Sequence, residues 1–142
     1  MSDESNQLRV RLVTPERVLF DETAEAVTLP SKSGYMEALY GHAPLLAELG
    51  AGDVTVHGAS DGGGEQIYNV SWGFVEVLPD RVTILANDAL KPEEIEVDRA
   101  EEQLVRGNKE WNEAGDSEEA YTHALHVIAE AEAKLATAQE KH

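Results

Sequence analysis

The chain has no cysteine, so disulfides, thiolate metal sites and a cysteine nucleophile are all excluded. It also fits a reducing compartment. Aromatic residues are scarce, at 6%, which leaves the core to aliphatic side chains. No apolar run approaches the roughly 20 residues that a membrane-spanning helix needs. The first residues, Met1–Gln7, are polar and acidic, so no secretory signal is expected there. Basic residues are few: 11 Lys and Arg stand against 28 Asp and Glu, a net charge of −17. That field repels phosphate backbones and anionic lipid heads, which argues against binding nucleic acid or a membrane surface directly.

What is present is a change of period at Leu90–Lys91–Pro92. Before it, apolar residues alternate, as in Leu8, Val10, Leu12 and in Val75, Val77, Val82, Ile84. After it they recur every three or four residues: Val97, Ala100, Leu104, Trp111, then Tyr121, Ala124, Ile128, Ala131, Leu135. Period two marks one-sided strands and period 3.6 one-sided helices. The expected fold is therefore an N-terminal antiparallel β-sandwich over 1–90, followed by a C-terminal antiparallel two-helix hairpin over 91–142. The negative charge is shared between them.

Strands are predicted over residues 8–13, from Val18 to Phe20 and beyond, over Ala24–Leu29, Val54–His57, Ile67–Val70, Phe74–Leu78 and Arg81–Ala86. Pro30 closes the third, and Gly50–Asp53 breaks the chain before Val54. Gly58–Gly64 reads as a flexible loop, and with no Lys-Ser/Thr after it, it is not a phosphate loop. Pro92 suits a first helical position, with Glu93 and Glu94 at the positive end of the helix dipole. The first helix is expected over about Glu93–Glu113, with Gly107 a weak point costing about 1 kcal/mol relative to Ala. Gly115 is placed to cap it, and Asp116-x-x-Glu119 resembles a capping box for a second helix over Ser117–Gln139. The seam is Ala-rich: Ala100, Ala120, Ala124, Ala131, Ala138. Small residues bury little area at about 25 cal/mol per Å², so this hairpin is marginal unless docked, and able to move.

No arrangement of residues carries a catalytic signature. His42, between Gly41 and Pro44, lacks a Ser or carboxylate at motif spacing and reads as a positioned structural or contact residue. His123 and His126 lie three apart on one helical face but have no third ligand pattern, so no metal is expected. Trp72 and Trp111 read as packing residues.

Two stretches resemble a known family. Gly41–His42–Ala43–Pro44–Leu45–Leu46 stands as the hallmark turn of the epsilon subunit of bacterial F-type ATP synthases. Gly73–Ala86 (GFVEVLPDRVTILA) follows that family's second motif, and the helical hairpin comes in the right place. The resemblance implies a non-catalytic rotor subunit on the cytoplasmic face of the membrane, with no cofactor. Its β-sandwich would bind the gamma subunit and the c-ring through Gly34, Tyr35, Gly41, His42 and Pro44. Its hairpin would fold down or extend along gamma, meeting the catalytic alpha and beta subunits transiently and restraining ATP hydrolysis.

Departures from the family pattern are informative. The acidic residue common after Gly34 is replaced by Tyr35, Tyr40 stands where Pro usually precedes Gly41, and Trp72 replaces a small Gly. Some members bind ATP through a segment that Ile95–Ala100 matches, with Glu96 for Asp beside Arg99. The last-helix positions are Glu130 and Lys134, and an anionic Glu130 opposes a triphosphate. Two rival readings remain: a free nucleotide-sensing regulatory domain acting through Arg99, and a small β-sandwich hydrolase with His42 as base.

Overall fold

In the computed structural model, residues 7–60 and 64–141 are described. The expected Gly58–Gly64 loop thus lies partly, and the polar start of the chain almost wholly, outside the described residues. Two units are present, Met1–Leu90 and Lys91–His142.

Among the described residues the first unit holds seven strands: β1 (Leu8–Val13), β2 (Val18–Ala24), β3 (Ala26–Ser31), β4 (Gly34–Leu39), β5 (Leu45–Ala59), β6 (Gly64–Leu78) and β7 (Arg81–Leu90). They pair in the order β2-β1-β7-β6-β5-β3-β4. The sheet folds on itself, because the end of β2 returns to the far end of β5. There Glu25 N–H donates to the His57 carbonyl and Ser60 N–H to that of Thr23, both at 2.9 Å. All pairings are antiparallel except β1 with β7, which is parallel. That pair departs from the all-antiparallel expectation, since alternation reveals which residues face inward but not strand direction.

The interior is aliphatic, as the scarcity of aromatics requires. Leu8, Val10 and Leu12 from β1 meet Val27, Leu29, Val54, Val56, Val75, Val77, Val82 and Ile84, all fully buried. Phe20 and Tyr68 supply a tilted aromatic contact with ring centroids 6.4 Å apart.

Several expected breaks are bends inside continuous strands. Gly50–Asp53 lies within the 15-residue β5, and Ile67–Val70 and Phe74–Leu78 are two parts of the 15-residue β6. The inward face changes phase along a line through three strands. Leu49 is buried and then Gly50, Gly52 and Val54; Tyr68 and Val70, then Val75 and Val77; Val82, Ile84 and Ala86, then Ala89. Leu49 pairs with Gly73, and Gly73 with Ala86. This line is the corner where β5, β6 and β7 cross from one layer of the sandwich to the other, a change of layer that strands make by bends and bulges. Trp72 there has φ 61° and Gly73 φ 130°. Pro30 does not close β3 but lies within it; it has no N–H to donate, and the β3–β5 register shifts there. β4, absent from the sequence expectation, is a strand whose exposed edge residues blur the alternation.

The second unit opens with a 3-10 turn at Pro92–Glu94, where the Glu94 carboxylate accepts from Lys91 N–H at 2.7 Å. Ile95 and Glu96 are extended, so α1 (Val97–Glu113) starts later than the sequence suggests. Gly115 takes the left-handed conformation (φ 56°) expected of its capping position. α2 (Glu118–Lys141) is capped by Ser117, whose Oγ accepts from Ala120 N–H at 3.2 Å, in place of the Asp116 capping box. Trp111 and Tyr121 close the hairpin near its turn, centroids 5.9 Å apart.

The seam follows the small residues with one correction. Ala100, Ala124, Ala131 and Ala138 are buried, whereas Ala120 is exposed; Gly107 and Ala114 complete the line. Gly107 is a close-approach site more than a weak point. A Cβ there would lie 2.8 Å from Ile128 Cγ1 and 3.1 Å from Val127 Cγ1, atoms next to the α2 backbone on stiff side chains. Gly107→Ala gains about 1 kcal/mol of helix propensity but incurs overpacking of about 1–3 kcal/mol. The expected result is a looser hairpin, read as faster amide hydrogen exchange along α1 and α2. Slower exchange would show that propensity outweighs the close contact.

Candidate functional site

β4 and its two turns carry the five residues that the sequence singles out for partner contact. At one end, Ser31 Oγ donates to the Gly34 carbonyl at 2.6 Å and accepts from Ser33 N–H at 3.2 Å. Gly34 has φ 126°, which favours glycine. The Tyr35 hydroxyl crosses Gly52 of β5 and accepts from Asp53 N–H at 2.9 Å, and a Cβ at position 52 would collide with it. Tyr35 nevertheless stays 62% exposed.

At the other end, Gly41 has φ 91° and its N–H donates to the Pro79 carbonyl at 2.6 Å. His42 N–H donates to Leu39 at 3.1 Å. His42 Nδ1 donates to the Ala43 carbonyl at 2.6 Å, which fixes the ring proton on Nδ1 and spends it within the loop. Arg9 N–H reaches the Asp80 carbonyl at 3.0 Å, so the hallmark loop, the β6–β7 turn and the start of β1 are tied together.

The five residues therefore form two clusters at opposite ends of β4, about 20 Å apart at 3.3 Å per strand residue. In and beside the hallmark loop stand exposed apolar side chains that the sequence does not mark as contact residues: Leu39, Tyr40, Leu45 and Leu46, the last 72% exposed. A signal was available. Two consecutive leucines entering a strand cannot both face inward.

The nucleotide candidates all fall in the second unit. Ile95 and Glu96 precede α1, and Glu96 pairs with Arg99 at 3.0 Å. Lys134 pairs with Glu130 at 3.4 Å. Gly107 lies against Ile128, and Gln103 donates to the Val127 carbonyl, so this register brings the Arg99 end of α1 alongside the Lys134 stretch of α2. Each cation has a carboxylate beside it. His123, considered for a metal, pairs with Glu110 at 3.4 Å. Among the described residues no cluster of three or more His, Asp or Glu side chains is placed to hold a metal.

Residues 7–92 match the family described as ATP synthase, Delta/Epsilon chain, beta-sandwich domain. The chain belongs to this family. The similarity extends through the helices of this delta/epsilon-family chain. It is 42% identical over 135 residues to the ATP synthase epsilon chain of Solibacter usitatus, covering 94% of this chain and 97% of that one. The epsilon chain of Chromohalobacter salexigens is 38% identical over 129 residues, covering 91% and 89%. Among solved structures, a chain of the Euglena gracilis mitochondrial ATP synthase (OSCP/F1/c-ring) superposes with TM-score 0.76 at 22% identity, covering 92% and 81%. A chain of the Tetrahymena thermophila central stalk and c-ring gives 0.67 at 15%, covering 92% and 96%. At these identities the two structures show the shared fold. No helix of this family member, among the described residues, is long and apolar enough to cross a membrane.

Proposed function

We propose that the chain is a non-catalytic rotor subunit of an F-type ATP synthase, joining the gamma subunit to the c-ring in the central stalk. The observation that carries this is the hallmark loop: Gly41 ties its start to Pro79, yet Leu39, Tyr40, Leu45 and Leu46 in and beside it stay exposed. A grouped apolar surface on a chain of net charge −17 has no use in water, and contiguous patches of this kind mark protein interfaces. Family membership, and neighbours drawn from F1/c-ring and central-stalk assemblies, support the same reading. Gly34 and Tyr35, at the far end of β4, form a second contact on this view. The complex would hold the chain at the cytoplasmic face of the membrane, with no direct lipid contact.

The hairpin is read as the regulatory part. Its seam of Gly and Ala buries little apolar area, so a few kcal/mol separate alternative dockings, and one of them would restrain ATP hydrolysis by meeting the alpha and beta subunits. No bound nucleotide is expected. Arg99 and Lys134 already face Glu96 and Glu130, and a triphosphate would have to displace both carboxylates.

Co-expression with a gamma subunit tests the reading. A stable complex that survives gel filtration at micromolar concentration is the expected result, and its absence sinks the proposal.

A further inference from the structure

A cluster of arginines lies on the outer face of the first unit, where the sign of the charge is locally reversed. The parallel register of β1 and β7 sets Arg9 beside Arg81, and Arg11 beside Thr83. Arg9 holds Asp21 of β2 through two hydrogen bonds of 2.6 and 3.0 Å, and Arg11 lies 3.8 Å from the same carboxylate. The Arg81 side chain has no ion pair or hydrogen bond among the described residues. These side chains and Glu76 line one shallow slot. Three cations thus meet two carboxylates, in a chain with 28 acidic residues against 11 basic.

Like charges paired across strands are destabilising. An acidic residue at position 81 would give Arg9 a second partner and stabilise the isolated fold, so the Arg9–Arg81 neighbours cost stability that the free chain does not recover. The same face continues into exposed apolar residues. Val13 pairs with both Val18 and Leu85, and Leu85 with Phe74. Val18, Leu85 and Phe74 are each more than half exposed. This row lies about 7–13 Å along the strands from the arginines. A small anion could occupy the slot but would leave the apolar row wet. A polypeptide would cover both.

We infer that this face is covered by a segment of the gamma subunit that presents carboxylates to Arg9, Arg11 and Arg81 beside apolar side chains that meet Leu85, Phe74 and Val18. The inference rests on the rotor reading above and adds the chemistry of the partner surface. Arg81 is the residue to test, because its side chain has no ion pair or hydrogen bond among the described residues.

The experiment compares Arg81→Glu with Lys109→Glu, a charge-matched change on α1, in the full chain binding purified gamma at 50 and 300 mM salt. The Tm of each chain alone is measured in parallel. The expected result is a split in sign. Arg81→Glu raises the Tm of the free chain by about 2 °C, weakens gamma binding about tenfold or more at low salt, and flattens its salt dependence; Lys109→Glu changes binding by less than about twofold. Equal weakening by the two variants would reduce the effect to net charge and overturn the inference. So would unchanged binding of Arg81→Glu, while leaving the rotor reading intact. Failure of the unaltered chain to bind gamma would overturn the rotor reading itself.

Discussion

Gly73→Ala is expected to cost the first unit about 3 kcal/mol or more, a large share of the 5–15 kcal/mol that holds an ordinary domain together. Two independent effects add at this position. The backbone has φ 130°, a region that side chains with a Cβ rarely adopt. A Cβ would also be driven into the Leu85 carbonyl, with the Leu85 carbon at 3.0 Å and Ala86 Cα at 3.1 Å. Both neighbours are backbone of the adjacent strand β7 and cannot rotate away. Gly50→Ala is the comparison, since it lies on the same corner. Its φ is ordinary, and its nearest neighbour would be the Ser31 carbonyl oxygen at 3.1 Å. It should lose less than half as much. Urea midpoints followed by circular dichroism distinguish the two, and a Gly73→Ala chain as stable as the parent would refute this account of the corner.

The second large effect is on assembly and leaves the fold alone. Leu46→Asp should cost the free chain no more than about 1 kcal/mol, the repulsion from Glu76 across the ladder, because the side chain is 72% exposed on the outward face. Binding to gamma or to the ring should nevertheless fall about a hundredfold. Burying a leucine is worth about 1.5–3 kcal/mol, and a carboxylate buried without a partner adds a further desolvation cost. Pull-down of the complex, with the melting curve of the free chain alongside, separates the two quantities. A stable chain that binds as tightly as the parent would move the contact surface away from the hallmark loop.

Much of this was legible in the residues, and the failures have identifiable causes. Alternation at Leu8–Leu12 and Val75–Ile84 reports burial directly, so the inward faces of β1, β6 and β7 were readable. The two long strands were not, because Gly50, Gly52 and Gly73 carry the same letter whether they end a strand or bend it. Only the pairing of Leu49, Gly73 and Ala86 distinguishes a corner from a break. The hairpin is readable from its period, but in the sequence Gly107 looks like a defect. Its role depends on the register that sets it against Ile128, which helix propensity cannot supply. The candidate site was half legible. The hallmark loop could be identified as a string, whereas the separation of Gly34–Tyr35 from Gly41–Pro44 follows from the length of a strand, β4, that the alternation conceals.

The corner has a mechanical consequence. In a sandwich whose layers touch only through side chains, shear between them is resisted by packing and hydrogen bonds alone, and the layers can creep. Here three backbones run unbroken from one layer into the other, so a twisting load on one face passes to the opposite face along covalent bonds. Such a body resists twist as a stiff block, and in the rotor role proposed above it would store or lose little energy as internal slippage.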